Sequence, residues 1–248
     1  MSTKPSIVLI GGGRHRPATY AALTSALEAA GLEIHCPELP STNGARPPTA
    51  DLSTDTAHVR NYVSQLLDGG KDVVAVMHSY GGQVGTNALA GLDGRKGSIK
   101  RLVYMCAFAL FEGGSMISKV QEFGHEELMP VVFNFADDES VLCRDPAATL
   151  LGPGLEEKEV EEYLRTLVVW NGKCMYQGIE RCAWREVPVT YIYTARDMTV
   201  PLDYQKDMVE KIKAEGVEVD TVELEAGHCP NVTMTKEVVE VIESVASK

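Results

Sequence analysis

Short apolar runs alternate with helix-length segments along this chain, and that alternation narrows its fold more than any other feature. Ile7-Val8-Leu9-Ile10, Val73-Val74-Ala75-Val76-Met77 and Leu102-Val103-Tyr104-Met105-Cys106 are apolar at successive positions. A strand apolar on both faces belongs in a sheet covered on both sides, as parallel sheets are. Leu32 to Cys36, Val187 to Thr194 and Val217 to Leu224 read as three further strands. Between them lie helical segments. Pro17 to Ala30 has a proline suited to its first turn and Gly31 as its stop. Asp55 to Leu67 places Val59, Tyr62, Val63, Leu66 and Leu67 at helical spacing. Gly81 to Leu89, Tyr204 to Glu215 and Thr235 to Ala246 complete the set. Strands and helices in this order predict an α/β fold with a mostly parallel central sheet flanked by helices.

From about Phe111 to Glu186 the rhythm stops, and the segment reads as helical and irregular, with Glu156 to Val169 its clearest helix. The expected organisation is therefore a core of residues 1–110 and 187–248, with a helical cap or lid inserted over 111–186. No internal repeat or low-complexity linker marks a second domain.

The bulk chemistry excludes several function classes. A net charge of −12 over 248 residues argues against nucleic acid or an anionic membrane as partner. No stretch reaches the roughly 18 apolar residues of a membrane span. Met1 to Pro5 leads into the first strand without a signal-peptide core, so a cytoplasmic protein is expected. The six cysteines show no C-x-x-C pair and no zinc-ligand spacing, which reads as reduced thiols and no metal site. A homodimer is left open.

Chemistry concentrates where strands end. Met77-His78-Ser79-Tyr80-Gly81-Gly82 follows the strand at Val73 and precedes a helix of small residues. A serine on such a turn is held out of the hydrogen-bonding ladder with its hydroxyl exposed, as a nucleophile requires. Met77 stands where the G-x-S-x-G signature wants glycine. His228 follows the strand ending at Leu224, and Asp197 follows the strand ending at Thr194. In a parallel sheet all three emerge at the carboxyl edge, in the order Ser, Asp, His expected of a strand-elbow hydrolase. Each residue also has a plainer use. Ser79 could cap a helix, His228 could be a buried hydrogen-bonded histidine, and Asp197 could shape the turn before Pro201. Glu112 is a rival acid.

Ile7 to His15, His78 to Gly82, Asp197 to Pro201 and Gly227-His228 together resemble the α/β-hydrolase superfamily, in particular the small esterases related to plant methylesterases and hydroxynitrile lyases. The likeness covers essentially the whole chain. It implies Ser79 as nucleophile, His228 as base and Asp197 as the orienting acid. It also implies an oxyanion hole from the backbone N–H groups of Tyr80 and Gly13. Gly11 replaces the histidine that usually precedes the glycine at 12, leaving the bracing of that loop open. The implied activity is hydrolysis of a medium-sized, largely apolar ester or lactone through an acyl-enzyme, without a cofactor. Lyase relatives carry lysine after the catalytic histidine and threonine in the oxyanion loop, where this chain has Cys229 and Gly12, so hydrolysis is favoured. A non-hydrolytic tailoring enzyme (cyclisation or condensation) and a ligand-binding receptor are the alternatives.

Other readings are plainer. Gly11-Gly12-Gly13 is a poor dinucleotide fingerprint, because Arg16 occupies the third glycine position and no acid ends the second strand. His15 could line the pocket mouth or cap the next helix. Met129, Phe133, Trp170, Met175 and Tyr176 are candidate pocket residues from the insertion, with packing inside the cap as the competing role.

Overall fold

The computed structural model describes residues 4–248; the initial Met1-Ser2-Thr3 run lies outside the described residues. In chain order the core begins with β1 (Ser6–Ile10), α1 (Ala21–Ala29), β2 (Ile34–His35), α2 (Leu52–Asp68), β3 (Val73–His78), α3 (Tyr80–Ala88) and β4 (Ile99–Met105). The segment that follows holds α4 (Met116–Glu122), α5 (Met129–Val132), β5 (Phe133–Phe135), β6 (Ser140–Cys143), α6 (Glu157–Leu164) and β7 (Trp170–Asn171). The core resumes with β8 (Val189–Thr194), α7 (Leu202–Ala214), β9 (Val219–Leu224), α8 (Pro230–Thr233) and α9 (Thr235–Ala246).

Six strands form one parallel sheet in the order β2-β1-β3-β4-β8-β9. The two-residue periodicity of a strand divides the apolar runs between its faces. Val8, Ile10, Ala75 and Met77 pack with Val59 and Val63 of α2, Val84 of α3 and Met208 of α7. Ile7, Leu9, Val74 and Val76 pack with Leu23 and Leu27 of α1 and Val238 and Ile242 of α9. Every residue of β1 and β3 is buried, as the uninterrupted apolar sequence requires. Burying each large apolar side chain contributes about 1.5–3 kcal/mol before entropy is counted.

From β1 the chain moves outward to β2, then returns to pair β3 on the other side of β1. That reversal opens a crevice at the carboxyl ends of β1 and β3, where ligands bind in open α/β sheets. The glycine loop after β1 and Ser79 after β3 both lie there.

Two details differ from expectation. The inserted segment contains a three-stranded antiparallel sheet, β5-β6-β7, besides its helices, and its clearest helix stops at Leu164. These strands are two to four residues long, too short for alternation to be recognised in sequence. The helix foreseen from Asp55 begins at Leu52, because the Asp51 carboxylate accepts from the N–H groups of Ser53 and Thr54 and caps it. Among the described residues no helix is long and apolar enough to cross a membrane, and all six cysteines are unpaired.

Candidate active site

Ser79 sits between β3 and α3 with φ 54° and ψ −122°, a backbone conformation costly for any residue with a side chain. The surroundings leave it little alternative. Its carbonyl accepts from the N–H groups of Gly82 and Phe108. A Cβ on Gly81 would lie 2.2 Å from the Ile10 carbonyl oxygen, and one on Gly82 would lie 2.8 Å from Ala107 Cβ. Only glycines let α3 start this close to β1 and the loop after β4. Met77 is accommodated on the far side, where a Cβ on Gly85 would lie 2.3 Å from its sulfur. The small residue that the signature wants at position 77 is supplied instead by Gly85, eight positions on in α3.

The three residues picked out at separate strand ends meet. Ser79 Oγ lies 2.8 Å from His228 Nε2, and His228 Nδ1 lies 2.8 Å from Asp197 Oδ2. A carboxylate only accepts, so Nδ1 carries the ring proton and Nε2 faces the serine hydroxyl as an acceptor. Asp197 is itself fixed: Oδ2 accepts from Thr194 Oγ1, and Oδ1 accepts from the N–H groups of Thr199 and Val200. The aspartate thus shapes its turn and orients the imidazole together. Glu112, the rival acid, faces Arg185 at the exposed surface with both oxygens 3.1 Å from its guanidinium. That ion pair holds its carboxyl down at about 2, and His228 is not among its partners.

Hydrogen bonds from Tyr20 and His78 brace the glycine loop in place of a preceding histidine. The N–H of Gly12 donates to Tyr20 Oη at 2.7 Å, and that hydroxyl lies 2.8 Å from His78 Nδ1. His78 Nε2 is 2.8 Å from the His228 carbonyl. A carbonyl only accepts, so Nε2 is the protonated nitrogen and Nδ1 accepts from Tyr20. Burial, with His228 close by, pushes the His78 imidazole down to about 3 and keeps it neutral. Cys106 Sγ also reaches the His228 carbonyl, at 3.1 Å. His78, Cys106 and His228 are close enough to suggest a metal site, but these hydrogen bonds already account for their grouping. The sequence motif contained His78 without revealing its role, because its partners lie 58 and 150 positions away.

The Tyr80 side chain is held from below. Its hydroxyl donates to Asp55 at 2.8 Å, and the same buried carboxyl accepts from the Ser41 backbone. Trp170 Nε1 donates to Ser41 Oγ, linking the insertion to this network. The N–H groups of Gly13 and Tyr80 have no hydrogen-bond partner in the described residues. Gly13 is pressed against the Trp170 ring, which a Cβ would meet at 2.9 Å.

A cavity over Ser79 and His228 is lined by Gly13, Arg14, His15, Tyr80, Met116, Phe133, Leu150, Trp170, Met175 and Thr199. Of the candidates, His15, Phe133, Trp170 and Met175 line it, whereas Met129 and Tyr176 do not. Met129 packs at the margin of the main core and Tyr176 is 60% exposed. His15 does not cap the following helical turn; its Nε2 lies 2.9 Å from Tyr163 Oη. Only about 20 Å³ of the cavity is open to the centre of a water molecule.

A family model described as the alpha/beta hydrolase family matches residues 7–241. The chain belongs to the alpha/beta-hydrolase family. It is 30% identical to probable hydrolase R7 of a Phoma species, over 98% of this chain and 99% of that protein. The hydrolase fold recurs in a pyrethroid hydrolase from Sphingobium faniae JZ-2, with a TM-score of 0.76, 21% identity and coverage of 99% of this chain and 98% of that one. It recurs also in a methylesterase from Arabidopsis, with a TM-score of 0.75, 18% identity and coverage of 98% and 99%.

Proposed function

We propose that this alpha/beta hydrolase is a serine carboxylic-ester hydrolase acting on a small-molecule ester or lactone. The observation that carries the reading is the unbroken chain from Ser79 Oγ through the His228 ring to Asp197, with both links at 2.8 Å. His228 Nε2 takes the Ser79 proton as Oγ attacks the scissile carbonyl carbon. The negative charge on the carbonyl oxygen is met by the Gly13 and Tyr80 N–H groups, each free of another partner. Such a donor is worth about 10²–10³ in rate. His228 then gives its proton to the departing alkoxide, leaving an acyl-enzyme on Ser79. Water, deprotonated by His228, attacks that ester, and the acid leaves as Oγ recovers its proton.

Relatives named as a hydrolase, a pyrethroid hydrolase and a methylesterase support ester cleavage. The lyase alternative lacks its lysine, since Cys229 stands there, buried and with its thiol pushed up to about 12. Residues 111–186 act as the cap over the site, contributing Met116, Phe133, Leu150, Trp170 and Met175. Unpaired cysteines suit a reducing cytoplasm. The test is turnover of short-chain p-nitrophenyl esters. The wild type is expected to hydrolyse them and Ser79→Ala to fall by about 10³-fold or more; equal rates for both proteins would contradict the proposal.

A further inference from the structure

Arg14 is the residue that the catalytic scheme leaves without a task. It follows Gly13 directly, has φ 60°, and is only 5% exposed. Its guanidinium carbon lies 5.1 Å from the Phe133 ring centre and 6.0 Å from that of Trp170, and the side chain lines the cavity shared by Ser79 and His228. Its Nε is buried with no hydrogen-bond partner, and no carboxylate pairs with it in the described residues. The ionisable groups near it that could carry negative charge are the thiols of Cys143 and Cys229 and the phenol of Tyr163, with no carboxylate among them. Burial pushes the Cys229 thiol up to about 12 and raises the Tyr163 phenol well above its ordinary value, so neither supplies a compensating negative charge at neutral pH.

A buried cation facing aromatic rings and no anion is costly to a fold, and such groups are ordinarily paired. The left-handed backbone adds to that cost. It is clamped because the Arg14 carbonyl accepts from the Val168 N–H and His15 bridges to Leu167. Strain and unpaired charge concentrated in one residue beside a reactive serine point to a ligand. A planar guanidinium beside two aromatic rings, with an Nε that has no partner, presents the forked donor pair that a carboxylate accepts.

We propose that Arg14 binds a free carboxylate of the substrate, so that the preferred substrates are monoesters or lactones of acids carrying a second carboxylate. This rests on Ser79 being the nucleophile, as proposed above, but its binding component can be measured without turnover. Monomethyl glutarate and methyl pentanoate, similar in size and differing in charge, are compared by pH-stat titration in the wild type and in Arg14→Met. The wild type should favour the acidic ester in kcat/KM, and the substitution should shrink that preference roughly 10- to 100-fold, chiefly through KM. Arg14→Met should melt no lower than the wild type, since it removes an unpaired buried charge. An unchanged preference, or a wild type that favours the neutral ester, overturns the proposal. Calorimetric titration of monomethyl glutarate into Ser79→Ala, which does not consume it, tests the same claim independently of catalysis. Binding should be present there and weaker by a similar factor in the Ser79→Ala, Arg14→Met double variant. Equal binding in both proteins, or none in either, overturns the proposal. Failure of the serine mechanism appears differently, as turnover of either ester that survives Ser79→Ala.

Discussion

At the scale of single residues, most of the candidate site is a problem of orientation. Ser79, His228 and Asp197 each have ordinary chemistry; what distinguishes them is that both imidazole nitrogens and both carboxylate oxygens are already engaged. Asp197 accepts from Thr194, Thr199 and Val200 as well as His228, so its carboxylate cannot turn away from the ring. Its amide would offer a donor to Nδ1 and favour the wrong tautomer. Asp197→Asn should therefore lower kcat by about 10³–10⁴-fold with little change in melting temperature. Glu112→Gln, at the surface beside Arg185, should leave kcat within about twofold, as expected of a surface site. Steady-state kinetics on one p-nitrophenyl ester checks both. The reverse pattern would move the acid to Glu112.

At the scale of elements, His78 joins parts distant in sequence. It ends β3, reaches the glycine loop through Tyr20, and holds the loop after β9 through the His228 carbonyl. All of this requires a neutral ring, and burial lowers its pKa from 6.5 to about 3. A group whose protonation is suppressed by folding lends stability that is complete above its unfolded value and is lost as pH falls towards its folded value. His15, also lowered by burial, acts in the same sense, whereas Asp55, raised by burial, acts in the opposite one. Denaturant titrations should show stability falling from about pH 7 to about pH 5, by up to about 1.4 kcal/mol per pH unit for His78 alone. His78→Gln should flatten that slope; a slope equal to the wild type's would contradict this role.

At the scale of the whole molecule, the sheet was legible in sequence because its central strands β1, β3 and β4 carry runs apolar on both faces. The runs at Ile7, Val73 and Leu102 required a covered parallel sheet, and the order of its loops brought Ser79, Asp197 and His228 to one edge. Short elements were less legible: β5 to β7 are too brief for a period, and of the neighbours Met175 and Tyr176, both candidates, only Met175 lines the cavity, because helical phase over a few residues is undetermined. The isolation of Arg14 was invisible for another reason. A lone arginine after a glycine loop reads as a surface charge until the fold places Phe133 and Trp170, well over a hundred residues away, against it. Everything proposed for the site turns on Ser79 being a nucleophile activated by His228. Mass spectrometry after treatment with a fluorophosphonate tests that directly. The wild type should carry a single phosphonyl adduct mapping to Ser79, and Ser79→Ala none. An unlabelled wild type that is fully folded, or an adduct that persists in Ser79→Ala, would contradict the account.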